Sequence, residues 1–174
     1  IKNINEIINV NKKHSAAEDS LIDILNELIP YNLEIVIPLI KSAAYTPTFF
    51  GRTSAYNASI ASGRFNASKR ESLADEISLL YEHYLKRLEL NGDLFDMRGR
   101  DFEKDYAMPF FKARFNQNNI DRTYLKNHFF SKDFHNGMLY LHDFRDPHYI
   151  DRLNDTYEQL LKVKRNLENS LLKE

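Results

Sequence analysis

Residues 68–92 read SKRESLADEISLLYEHYLKRLELNG, and this stretch decides the fold. Leu73, Ile77, Leu80, Tyr81, Tyr84 and Leu88 recur every three or four positions. That spacing draws one stripe along an α-helix and is not the two-residue alternation of a half-buried strand. Ser68 and Glu71 form an S-x-x-E pattern, in which each side chain can satisfy an orphan amide of the first turn. Asn91-Gly92 is a C-terminal signal, because both residues tolerate the left-handed conformation that ends a helix. The spacing predicts a helix over 69–90 with its stripe in the core.

The C-terminal side carries a second helix. Asp146 can cap it, and Pro147 suits the first helical position, where a missing N–H costs nothing. Ile150, Leu153, Tyr157, Leu160, Lys164, Leu167 and Leu171 then alternate by three and four residues, a coiled-coil seam with one lysine at a core position. An isolated helix of this length is marginal in water, so something must cover the seam. The cover is either the 69–90 helix or another molecule, and a protein partner or a second copy docked on the 150–171 seam is expected.

On the N-terminal side, Ile4, Ile7 and Ile8 predict a short amphipathic helix. Ser15 and Glu18 repeat the capping pattern ahead of Leu21, Ile24, Leu25 and Leu28, and Pro30 ends the run. Residues 33–40 read two ways: their β-branched residues suit a buried strand, while Leu33, Val36, Leu39, Ile40 and Ala43 suit a helix that Pro38 would strain, and the helix is preferred. Residues 45–68 are rich in Thr, Ser, Asn and Ala and read as loop or short helix. His135-Asn136-Gly137 is a turn signal between two aromatic runs, which predicts a small hairpin over 128–144. The expectation is one compact, mostly α domain spanning residues 1–174, with a long C-terminal helix and the hairpin as its α+β alternative.

Composition excludes several function classes. The chain has 174 residues, 43% hydrophobic and 28% charged, with a net charge of −1, so it is neither disordered nor a polycation. It has no cysteine, which removes disulfides, thiolate zinc sites and cysteine nucleophiles together. No apolar run is long enough to span a bilayer and no secretory signal is visible. A cytoplasmic setting without membrane contact is expected. No phosphate-binding glycine loop or nucleophile elbow occurs, and no cofactor is expected.

Three constellations could carry function. Lys112, Arg114, Arg122 and Lys126 lie among Phe110, Phe111, Phe115 and Tyr124, with Arg98 and Arg100 upstream. Cations meet phosphates and exposed aromatics stack on bases, so Arg98, Arg100, Lys112, Arg114 and Lys126 are candidate nucleic-acid contacts. His128, His135, His142 and His148 fall within 21 residues, interleaved with Asp133, Asp143, Asp146 and Asp151. Imidazole and carboxylate together suit a divalent transition metal, and His135, His142, Asp143 and His148 are the candidate ligands.

Two of these patterns resemble known families. Leu141-His142-Asp143 resembles the paired His-Asp of HD-type phosphohydrolases, which implies a metal-activated water; the chain has only 31 residues after Asp143 and lacks the family's downstream glycine. Arg122 and His128 give an R-x5-H spacing similar to that of HEPN-type ribonucleases, which implies that the pair is catalytic on RNA. The residues together point first to a non-enzymatic interaction or regulatory module, with nucleic acid as one partner. A metal-dependent phosphohydrolase or ribonuclease using residues 122–151 is the alternative.

Overall fold

The computed structural model describes residues 2–63, 71–115 and 121–172. The fold is mostly α, with 85% of the described residues helical and no strand among them. Among the described residues nine α-helices follow in order: α1 (Lys2–Leu25), α2 (Leu33–Ala43), α3 (Ser54–Ala61), α4 (Glu71–Ser78), α5 (Lys86–Phe102), α6 (Met108–Phe115), α7 (Arg122–Phe129), α8 (Lys132–Asp143) and α9 (Ile150–Leu171). Three π-helical stretches join neighbours end to end: Leu79–Leu85, Glu103–Ala107 and Phe144–Tyr149.

Helix α1 is one continuous rod where the sequence predicted two pieces. Ser15 and Glu18 do not cap anything; both are buried on the inner face beside Ile8 and Leu21. Helix α2 forms as expected, since Asn32 caps it by accepting a 3.0 Å hydrogen bond from the Glu34 N–H. Pro38 points outward and removes one ladder bond, while Leu33, Val36, Ile40 and Ala43 hold the inner face in the core.

Residues 71–115 run without a break through α4, α5 and α6. Asn91-Gly92 therefore ends nothing. Gly92 is buried against Thr48, and Gly99 lies so close to Thr46 that a Cβ there would sit 2.7 Å from its Oγ1. These glycines let the 44–49 segment cross the helix. The stripe predicted for 73–88 is shifted as well. Leu80, Leu85 and Leu88 are buried, whereas Leu73, Ile77 and Tyr84 are only half-buried. The π-helical turn at Leu79–Leu85 adds a residue and rotates the face, so Leu85 takes the inward place that a regular helix would give Tyr84.

The hairpin predicted over 128–144 is instead helix α8. Ser131 caps it by accepting from the Phe134 N–H at 3.2 Å, and Phe134, Met138 and Leu141 are buried at helical spacing. The supposed turn glycine, Gly137, makes room for the Tyr106 ring. Helix α9 follows a bend at Asp146, whose extended backbone (φ −130°, ψ 117°) stops α8 before a cis Asp146–Pro147 peptide.

The core is strongly aromatic. Phe95, Phe102, Phe110, Phe129, Phe134 and Tyr149 are all fully buried and pack with aliphatic side chains of α1, α2 and α8. The α9 seam is covered largely from within the chain. Ile150, Leu153 and Val163 are buried, whereas Leu167 is exposed. Val163 takes the inward place beside the predicted Lys164, whose amine lies in solvent 3.6 Å from Glu168.

Candidate functional site

The most heavily bonded polar group lies in the interior. Arg145, at the α8–α9 bend, is fully buried. Its Nε donates to Glu18 Oε1 at 2.8 Å and its Nη1 to Asn11 Oδ1 at 2.8 Å. Its Nη2 donates to the Ala43 and Tyr45 carbonyls at 2.8 and 3.0 Å. The guanidinium carbon sits 4.8 Å from the centre of the Phe95 ring. Burial pushes the guanidinium below its ordinary value and the Glu18 carboxylate pulls it back up. Around this hub, Asn11 Nδ2 donates to the Pro47 carbonyl at 2.9 Å, and the Phe49 N–H donates to the Tyr149 hydroxyl at 3.0 Å. Every one of these bonds ties the 43–49 segment, α1 and the α8–α9 bend together, so the cluster is a clamp and its donors are spent inside the chain.

His142 belongs to the clamp's edge. Its Nδ1 is 3.2 Å from Glu18 Oε2 and its Nε2 is 3.5 Å from Asp19 Oδ1. The Glu18 contact raises its pKa against the opposing effect of burial. The other candidate metal ligands lie elsewhere. His135 is half-buried on α8, and His148 is exposed, 4.0 Å from the exposed Asp143. Among the described residues no group of three or more His, Asp or Glu side chains is placed to hold a metal. The structure therefore does not gather His135, His142, Asp143 and His148 into one site: His135 and His142 share a face of α8 but stand seven residues, about 10 Å, apart along its axis, Asp143 is turned about 100° from His142, and His148 lies beyond the end of α8.

Arg122 and His128 both lie on α7, six residues and therefore about 120° apart around the helix. Arg122 reaches Glu34 at 3.0 Å. His128 Nε2 bonds the Tyr106 carbonyl at 2.9 Å, and its ring stacks on Tyr124 at 8° between planes. His128, Tyr124, Lys104 and Lys112 line a surface hollow of about 530 Å³ floored by Met108, Pro109 and Leu125. Of the candidate nucleic-acid contacts, Lys112 lies in this hollow. Lys126 is 6.0 Å from the Tyr31 ring centre. Arg98 is half-buried, its guanidinium 3.7 Å from the Tyr140 ring centre and bonded to the Tyr140 carbonyl at 3.1 Å. Arg100 is exposed on α5, and the Arg114 side chain lies outside the described residues.

A second hollow, of about 500 Å³, opens between α1, α2 and the helix above them. Its lining includes Lys13, His14, Lys41, Ser42, Tyr45 and Glu103. His14 Nδ1 is 2.7 Å from Ser42 Oγ, bridging α1 and α2, and the His14 ring meets Tyr45 edge-on at 5.2 Å. Burial lowers the His14 pKa, and the charges of Arg145 and Lys13 lower it further. The sequence pattern passed over this hollow, since its residues come from positions far apart in the chain. The clamp left a clearer trace: Asn11, Ser15 and Glu18 interrupt the apolar face of α1 at core-facing spacing.

Residues 1–124 match the model of a family of unknown function, DUF6090. The chain belongs to this family. The matched stretch of the DUF6090 domain runs from α1 through the first residues of α7, so it contains the His14–Ser42 hollow and all of α5. Arg145 and His142 lie beyond it, although Glu18 and Asn11, which they engage, lie within. No curated protein and no solved structure matches the chain.

Proposed function

We propose that the DUF6090 domain is a non-catalytic protein-interaction module that pairs with a second copy of itself along the outer face of α5. The carrying observation is that α5 has two apolar faces. Leu88, Phe95 and Phe102 face the core. Leu90, Leu94 and Met97 are 54%, 47% and 44% exposed, on a stripe roughly opposite at 100° per residue. Single exposed leucines are ordinary, but three at i, i+4 and i+7 form the pattern by which one helix docks on another.

Charge favours a second copy as the occupant. Arg87 lies seven residues before Leu94 and Asp101 seven residues after it, each about 10 Å along the axis. Both are exposed, and neither makes an ion pair among the described residues. Two antiparallel copies bring each Arg87 end to the other's Asp101 end; parallel copies would stack like charges. One edge of the face carries Lys86, Asp93 and Arg100, and Asp93 near the centre opposes its own mate. That repulsion makes the pairing a weak, reversible one.

Sedimentation across a dilution series tests this. Wild type should pass from dimer to monomer on dilution, and Leu94→Glu should be monomeric with an unchanged circular dichroism spectrum. Arg87→Glu and Asp101→Arg should each weaken the dimer, and the double exchange should restore it. A monomer at every concentration, or a dimer indifferent to Leu94→Glu, overturns the proposal.

The Tyr124–His128 stack beside Lys104 and Lys112 supports a second reading, single-stranded nucleic acid held by stacking and phosphate contacts. Anisotropy with a labelled oligonucleotide should then show binding that falls steeply with salt and is lost in Tyr124→Ala. No binding at low salt removes this reading.

A further inference from the structure

We infer that the hollow between α1 and α2 is a binding site for the phosphoryl group of a small organic phosphate, held by Lys13, Lys41, Tyr45 and the His14–Ser42 pair. The inference is independent of the pairing through α5.

The hollow brings together donors from two helices that are packed against each other. Lys13 and His14 come from α1, and Lys41 and Ser42 from the last turn of α2. The 2.7 Å His14–Ser42 contact fixes the two helices relative to each other at this point. Neither Lys13 nor Lys41 makes an ion pair among the described residues, so both charges are available to a ligand. Tyr45 is 58% exposed and adds a hydroxyl. The His14–Ser42 pair supplies one more donor whichever way its proton points. When Ser42 donates to Nδ1, the neutral ring keeps its proton on Nε2; when Nδ1 donates, the Ser42 hydroxyl is released.

The charges around the hollow decide its sign. Glu103 is the one carboxylate in the lining. Below it, Arg145 is neutralised by Glu18 but still acts on His14, as does Lys13. A phosphate dianion suits two ammonium groups with neutral donors between them, since ionised partners make the shorter and stronger hydrogen bonds. The volume, about 500 Å³, exceeds the needs of inorganic phosphate, and Pro38, Ala44 and Phe111 give the remainder an apolar wall. That wall is why an organic ester, with an apolar body behind its phosphoryl group, is the ligand class.

The probes are inorganic phosphate and phenyl phosphate, read by NMR on the ring carbon protons of His14 at constant ionic strength set with chloride. An anion bound within about 4–6 Å favours the protonated ring, so the His14 pKa should rise by about one unit or more. Phenyl phosphate should bind more tightly than inorganic phosphate. Lys13→Glu and Lys41→Glu should each weaken binding about tenfold or more while leaving the circular dichroism spectrum unchanged, because both side chains are exposed. A His14 pKa that does not respond at saturating phosphate overturns the site, as does a response that survives both lysine substitutions. Equal affinity for the two probes overturns the organic ligand class.

Discussion

The clamp at Arg145 makes the sharpest stability prediction. Replacing Arg145 with Met keeps much of the apolar stem and its contact with Phe95 but removes all four hydrogen bonds. Glu18 is then a fully buried carboxylate without its guanidinium, and the Asn11 Oδ1, Ala43 and Tyr45 acceptors lose their donor. Breaking a buried ion pair from one side costs about 3–5 kcal/mol, and each stranded acceptor adds to that without full additivity. A domain of this size is stable by roughly 5–15 kcal/mol, so the variant should be near unfolding at room temperature. Urea denaturation followed by circular dichroism measures the loss. The pH dependence gives a second handle. Without the guanidinium, the protonated His142 ring is the cation left facing the buried Glu18 carboxylate, so the destabilisation grows as pH rises and that ring loses its charge. The cost should therefore be smaller at pH 5 than at pH 7. Adding Glu18→Leu should recover part of the loss by removing the stranded charge. A loss below about 1 kcal/mol for Arg145→Met, or a cost independent of pH, would refute the reading of this cluster as a charged clamp.

Two further outcomes follow from neighbouring contacts. The Glu18 contact raises the His142 pKa above its unfolded value, so its stabilisation is complete below about pH 6.5 and fades as pH rises through the folded value; a His142→Gln variant should show a flatter stability profile between pH 6 and pH 8 than wild type, and parallel profiles would count against the contact. Gly99→Ala should cost about 1–3 kcal/mol in thermal or urea unfolding, because the new Cβ drives into Thr46 and disturbs its 3.4 Å bond to Asp96; an unchanged midpoint would show that the 44–49 segment moves aside freely.

The sequence carried the helices where an apolar stripe repeats without competition, and it failed where a local signal had a tertiary use. Residues 150–171 formed a helix because Ile150 and Leu153 recur with helical period beside a recognisable breaker, whereas 33–43, which also suited a buried strand, became helix with Val36 and Ile40 on its inner face. Gly92 reads as a helix end and Gly137 as a hairpin turn because glycine permits both. Each is instead buried mid-helix, where the absent side chain admits Thr48 or the Tyr106 ring. Ser15 and Glu18 read as a helix start because serine and glutamate favour caps, yet Ser15 donates to Asp146 Oδ2 at 3.2 Å and Glu18 holds Arg145. These contacts span more than 120 residues, so no local window could reveal them. The same distance effect governs the candidate sites. Four histidines close in sequence fall on successive elements, His128 on α7, His135 and His142 on α8 and His148 beyond it, and even the two that share a face of α8 stand about 10 Å apart along its axis. His14 and Ser42, 28 positions apart, meet at 2.7 Å because α1 and α2 pack side by side. In a helical domain, chemistry-bearing groups meet where helix faces cross, not where they cluster along the chain. The polar interruptions of an apolar face, such as Asn11, Ser15 and Glu18 on α1, are therefore the better guide to where a distant partner must arrive: a buried polar group without one would cost more than the fold could offset.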